Sequence, residues 1–168
     1  IDVRGHGATY AQLAAVIDAV AVRLRDAGLA PQSVAVLATT NLYKFLVTAL
    51  AMARVGIVFA PPSLPAEHTD VAVLDDGQAG NGCARSVALD TFSPVQGPGA
   101  ALTDPHPGGA APFTLLPSSG TTATPRFTPI SHDLALLRCD PAALAFARMP
   151  GGRRAAASRQ ACLLAPTG

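Results

Sequence analysis

Between residues 9 and 60 the hydrophobic spacing switches repeatedly between a helical and an extended period, and this narrows the choice of folds more than any other feature. Thr9 followed by Gln12 makes a capping box, in which hydroxyl and amide satisfy free backbone N–H groups at a helix start. Leu13, Val16, Ile17, Val20 and Leu24 then recur on one helical face, so a helix is expected over 9–27. Gly28 supplies its stop, because glycine enters the left-handed region without steric conflict. Residues 33–38 read as a short apolar strand. Asn41 is placed to cap a second helix with Leu42, Phe45, Leu46, Ala49, Leu50 and Ala53 inward, ended by Gly56. Residues 57–60 form a second strand, and Pro61-Pro62 forbids its continuation, since proline has no N–H to give to a ladder.

Helix, strand, helix, strand predicts an α/β fold, a mainly parallel sheet flanked by helices. Further strands are expected over 71–74, 86–89 and 113–116. The Pro/Gly-rich stretch 93–112 reads as an exposed connection. Helices are expected over 131–138 and from Asp140-Pro141 to Met149, and a last strand opens at residues 162–165. No internal repeat is visible.

Composition removes several function classes. With 49% hydrophobic and 14% charged residues, the chain is not of the disordered, solvating kind. A net charge of +1 and 5% aromatics without Trp leave little to grip a phosphate backbone or stack on bases, so no nucleic-acid partner is expected. No apolar run is long enough to span a membrane. Cys83, Cys139 and Cys162 are odd in number, widely spaced and outside any CxxC, which argues for thiols in a reducing, cytoplasmic compartment rather than disulfides or zinc. His6, His68 and His106 lack metal-ligand spacing, and Asp75-Asp76 reads as a strand-end turn. Arg148, Arg153 and Arg154 read as a solvated run. The start at Ile1 shows neither an initiating Met nor a signal peptide, and the chain stops just after a strand opens. It is therefore expected to be part of a longer protein.

The chemistry-bearing segment is Ser118-Ser119-Gly120-Thr121-Thr122-Ala123-Thr124-Pro125-Arg126, directly after an apolar strand. Glycine and small side chains let phosphate oxygens approach backbone N–H groups. Hydroxyls add neutral donors, and Arg126 adds a forked cation suited to phosphate. The segment is neither a Walker loop nor a GxGxxG fingerprint, and Ser118 and Ser119 lack the G-x-S-x-G setting of a nucleophile. On its residues alone it fits either a phosphate cradle or an ordinary hydroxyl-rich loop.

The stretch 118–132 resembles the phosphate-binding loop of the adenylate-forming (AMP-binding) superfamily, which includes acyl-CoA synthetases and adenylation domains. That family's pattern is roughly [ST]-S-G-T-T-G-x-P-K-G-V followed shortly by S-H. Here Ser119, Gly120, Thr121, Thr122, Pro125, Ser131 and His132 match in register, whereas Ala123, Arg126 and Phe127 stand where the family has Gly, Lys and Gly. Thr9-Tyr10-Ala11-Gln12-Leu13 and the segment 53–61 resemble two further family stretches. After Glu67 the family usually has a helix of one or two dozen residues, whereas here His68-Thr69-Asp70 leads almost at once into Val71: either the helix is deleted or a stretch is missing from the numbering.

The resemblance implies that residues 1–168 are the N-terminal portion of an AMP-binding domain. It implies ATP and Mg²⁺ as cofactors, with the Mg²⁺ ligands beyond residue 168. Ser118, Ser119, Gly120, Thr121, Thr122 and Arg126 would hold the β- and γ-phosphates, and His132 would belong to the structure beside the nucleotide. The complete enzyme would activate a small carboxylic acid as its acyl-adenylate. It would then pass the acyl group to coenzyme A or a carrier-protein phosphopantetheine. The visible portion by itself is expected to be inactive. The alternative is a non-catalytic fragment or degenerate homologue that binds nucleotide or protein, self-associating through an exposed apolar face.

Overall fold

The computed structural model describes residues 2–3, 6–7, 9–74, 82–88, 102, 106–118 and 126–138. The helix expected up to Met149 and the strand expected at 162–165 lie outside these residues. A small antiparallel pair, β1 (Asp2–Val3) with β2 (His6–Gly7), precedes the first helix.

Helix α1 (Tyr10–Asp26) starts as its residues require: Thr9 accepts from the Gln12 N–H at 3.2 Å, and the Gln12 side chain accepts from the Thr9 N–H at 2.8 Å. Leu13, Val20 and Leu24 are buried and Val16 and Ile17 partly so. Gly28, at φ +77°, turns the chain away. The Arg85 guanidinium donates to the carbonyls of Ala27 and Gly28, placing a cation at the C-terminal end of α1 where the helix dipole favours it.

The main sheet has the order β6-β5-β3-β4-β7-β8. Its strands are β3 (Val34–Ala38), β4 (Val58–Ala60), β5 (Val71–Leu74), β6 (Ser86–Ala88), β7 (Pro112–Pro117) and β8 (Phe127–Ser131). All pairings are parallel except β7 with β8. Helix α2 (Leu42–Arg54) connects β3 to β4, capped by Asn41, whose Oδ1 accepts from the N–H groups of Tyr43 and Lys44. It packs on α1 and on the sheet face carrying Ala35, Leu37, Phe59, Val71, Val73 and Phe113. Strand alternation sends Val36 and Ala60 to the opposite face, beside Leu64.

The inward face of α2 differs from expectation. Leu42 is 57% exposed, and Phe45, Leu46 and Leu50 are only partly buried. Val47, Thr48, Ala49, Ala51 and Met52 are the buried residues. The helix is covered on two sides, by α1 and by the sheet, and the alanines let neighbouring backbones come close.

The connection from β4 to β5 crosses β3 within residues 61–70, using one 3-10 turn (Ala66–His68) and no α-helix. Parallel crossovers usually use a helix. Asp70 anchors this short path: its carboxylate accepts from the Val34 N–H at 2.7 Å while its own N–H donates to the Val34 carbonyl at 2.9 Å.

The outermost strand, β8, is a second correction. Residues 127–131 read as part of the loop motif, yet they pair antiparallel with β7 from Pro117↔Phe127 to Pro112↔Ser131. The helix that follows, α3, covers residues 132–138, and Ser131 Oγ caps it by accepting from the Leu134 N–H at 3.2 Å.

Candidate functional site

In open α/β sheets ligands bind beyond the carboxyl ends of the strands, near the point where successive connections leave in opposite directions. Here β3 runs to β4 on one side and the chain then returns past β3 to β5, so that point lies between β3 and β4. Strand β7 is the next neighbour of β4, and its carboxyl end delivers Ser118.

The hairpin of β7 and β8 is closed by a backbone bond from the Ser118 N–H to the Arg126 carbonyl, 2.7 Å long. Both residues are exposed. Among the six residues assigned to phosphate, the structure thus brings Ser118 and Arg126 together at the mouth of one loop. Ser119, Gly120, Thr121 and Thr122 fall between them, outside the described residues.

The base of the hairpin is anchored with care for its polar atoms. β4 and β7 share one register pair, Phe59↔Thr114, beside an irregularity in β7 between Pro112 and Thr114. The buried Thr114 hydroxyl donates to the Phe59 carbonyl at 2.9 Å and so extends this short ladder. Thr114→Val should cost about 1–3 kcal/mol, the penalty for removing one partner of a buried hydrogen bond. Urea unfolding of both proteins measures it, and an unchanged midpoint would show the bond to be dispensable.

An aromatic column runs across this base. Phe45 of α2 meets Phe59 edge-on at 6.1 Å, Phe59 meets Phe113 at 5.0 Å, and Phe113 meets the His132 ring at 5.4 Å. Two backbone bonds tie the start of α3 to the entry of β7: His132 N–H to Ala111 carbonyl (3.1 Å) and Asp133 N–H to Gly109 carbonyl (2.9 Å). The Asp133 carboxylate fills the space where a side chain at Gly109 would go. Burial pushes the His132 pKa below its ordinary 6.5, Asp133 opposes this, and His106 adds to it. His132 thus sits at the junction of β8 and α3, with its ring on Phe113.

Phe127 now has a physical account. It begins β8 and packs beside Val36, Ala60 and Leu64 on the sheet face away from α1 and α2. The short β4–β5 connection crosses this face with Leu64 and no α-helix, and the Phe127 ring adds apolar cover there. In β8 Pro129 is exposed and Ile130 buried, which fits an edge strand, where a sheet tolerates proline. Thr114, embedded in an apolar strand, carried no signal in the sequence.

A cavity of about 530 Å³ lies between the C-terminal ends of α1 and α2, lined by Arg25, Leu29, Pro31, Arg54, Val55 and Pro107 among others. It sits at the amino ends of β3, β4 and β7, the far end of the sheet from the hairpin mouth. The 6 residues of β7 at about 3.3 Å each separate the two by about 20 Å. It is therefore remote from the mouth of the hairpin. Arg54 within it is already engaged, with Asp18 at 3.5 Å and the Leu102 carbonyl at 2.9 Å. Among the described residues no three His, Cys, Asp or Glu side chains gather to hold a metal, and no helix is long and apolar enough to cross a membrane.

No protein-family model matches the sequence, and no curated protein matches it. Solved structures do match the fold. The N-terminal subdomain of Klebsiella oxytoca NpsA aligns with a TM-score of 0.69 at 20% identity, covering 83% of this chain and 40% of that one. The o-succinylbenzoate CoA synthetase MenE of Bacillus subtilis, solved with its acyl-adenylate intermediate, aligns with a TM-score of 0.71 at 14% identity, covering 87% and 42%. The fatty acyl-adenylate ligase of L. pneumophila, solved with acyl adenylate and pyrophosphate, aligns with a TM-score of 0.65 at 16% identity, covering 84% and 28%. The chain thus spans less than half the length of each. Its mostly parallel sheet, flanked by helices and closed by the β7–β8 hairpin, is the fold of the N-terminal portion of adenylate-forming enzymes.

Proposed function

We propose that residues 1–168 are the N-terminal portion of an AMP-forming acid–thiol ligase. In the first half-reaction a carboxylate oxygen attacks the α-phosphorus of ATP. The bond to the bridging oxygen breaks, and acyl-adenylate and pyrophosphate result. In the second, a thiolate of coenzyme A or of a carrier-protein phosphopantetheine attacks the acyl carbonyl, and AMP leaves. The cytoplasm is the proposed setting.

This chain's part is to hold the pyrophosphate moiety as charge builds on it. Ser118 to Thr122 supply small-residue backbone and hydroxyl donors, and Arg126 supplies the cation. Groups positioned in advance act where charge develops without reorganising at the moment of reaction. Mg²⁺ would accompany the phosphates, with its ligands elsewhere in the complete protein. The observation that supports the reading most is the pairing of exposed Ser118 with exposed Arg126 at the carboxyl end of β7, in a fold shared with acyl-adenylate-forming enzymes.

The test is ATP–pyrophosphate exchange by the full-length protein against a panel of carboxylic acids. Acid-dependent exchange is the expected result. ATP binding without exchange for any acid would favour the second reading, a nucleotide-binding or protein-interaction module without turnover. Ala123 favours that second reading, because it adds a side chain where the resembling loops keep glycine. Neither binding nor exchange would sink the ligase reading and the nucleotide-binding form of the second, leaving a protein-interaction module.

A further inference from the structure

We propose that His132 is an acid-sensitive latch on the β7–β8 hairpin: its neutral imidazole, packed on Phe113 with Nε2 buried and unpartnered among the described residues, keeps the start of α3 seated on the entry to β7, and protonation of that nitrogen unseats it. The consequence for nucleotide affinity rests on the function proposed above; the latch itself does not.

The argument begins with one atom. His132 Nε2 is shut off from solvent and has no hydrogen-bond partner among the described residues. A neutral ring accommodates this as an idle acceptor. Protonation turns it into a charged donor with nothing to accept from it, and such a group is strongly disfavoured in an apolar setting. His132 also stands in the first turn of α3, where the helix dipole puts positive potential.

Among the described residues two titratable groups act on the ring. Asp133, on the same helix, favours the cation, and His106, on the segment before β7, disfavours it. Burial outweighs Asp133, so the net direction favours the neutral ring.

The sign follows from linkage. A histidine held neutral contributes its stabilisation in full above its ordinary 6.5 and loses it as pH falls through its lowered folded value. What gives way is local. Among the described strands β8 has a neighbour on only one side, so α3 and β8 can lift without breaking the parallel strands. The bonds lost first are those from His132 to Ala111 and from Asp133 to Gly109.

The experiment is amide hydrogen exchange across residues 109–135 of the full-length protein between pH 8 and 5, corrected for intrinsic rates. Wild type and His132→Phe, which keeps an aromatic ring on Phe113, are compared. Wild type should lose protection by up to about tenfold per pH unit below 6.5, the limit for one proton, while the variant stays flat. Equal pH dependence in both, or flat wild-type protection, overturns the latch. If His132→Phe does not fold, NMR titration of the wild-type His132 ring decides instead, and a midpoint at or above 6.5 overturns it. ATP affinity measured on the same samples separates the two ideas: absence of ATP binding at every pH defeats the nucleotide reading, while the exchange data still decide the latch.

Discussion

Phe59→Ala is expected to lower the unfolding free energy by about 3–5 kcal/mol, the usual loss for truncating a buried aromatic. Phe59 is the middle ring of the column, edge-on to Phe45 at 6.1 Å and to Phe113 at 5.0 Å, and it is 8% exposed. Removing it opens a void between α2, β4 and β7 together. Such edge-to-face pairs add about 0.5–1.5 kcal/mol beyond the area they bury. A domain of this size has about 5–15 kcal/mol in all, so the variant should sit near its unfolding transition. Urea or thermal unfolding followed by circular dichroism measures the loss. A loss below about 1 kcal/mol, the low end for core truncations, would mean that the column contributes little to what joins the hairpin to the core.

Arg126→Ala in the full-length protein should weaken ATP and pyrophosphate binding by about ten- to a hundredfold. A hydrogen bond to a charged group contributes about 1.5–3 kcal/mol, and every 1.4 kcal/mol is a factor of ten. Arg126 is exposed at the loop mouth, with its carbonyl pinned by the Ser118 N–H, so the anchor of the side chain survives the substitution. Arg126→Lys should keep most of the affinity, because the resembling loops carry lysine there, although the fork and its paired bonds are lost. Calorimetric titration with ATP and with pyrophosphate gives both numbers. Unchanged affinity in Arg126→Ala would remove Arg126 from the site. A collapse in both variants would instead make the guanidinium fork the determinant.

Much of the fold follows from short-range rules. The Thr9/Gln12 box, the Asn41 cap and the glycines 28 and 56 mark helix ends through bonds that reach only a few residues along the chain. The strand at 71–74 is visible as a short β-branched run bounded by polar residues. Such signals do not depend on what packs where. The inward face of α2 does depend on it: two partners cover that helix, and apolar spacing cannot say how wide the covered sector will be. β8 was obscured for a different reason, since Pro129 interrupts a run that an edge position tolerates.

The candidate site divides along the same line. The order of small, hydroxyl and basic residues from Ser118 to Arg126 is written in the chain, and with it the phosphate chemistry such residues can perform. The chain alone also determined the helix–strand alternation that leads to a parallel sheet. Only the tertiary structure decided that Ser118 and Arg126 close one hairpin, that Phe127 packs beside Leu64, and that His132 lies on Phe113 with a buried nitrogen unpartnered among the described residues. The physical reason is range. Caps and turns are settled by neighbours in sequence, whereas burial of a polar atom, pairing of an edge strand and the height of a pKa depend on residues that meet only once the sheet has formed.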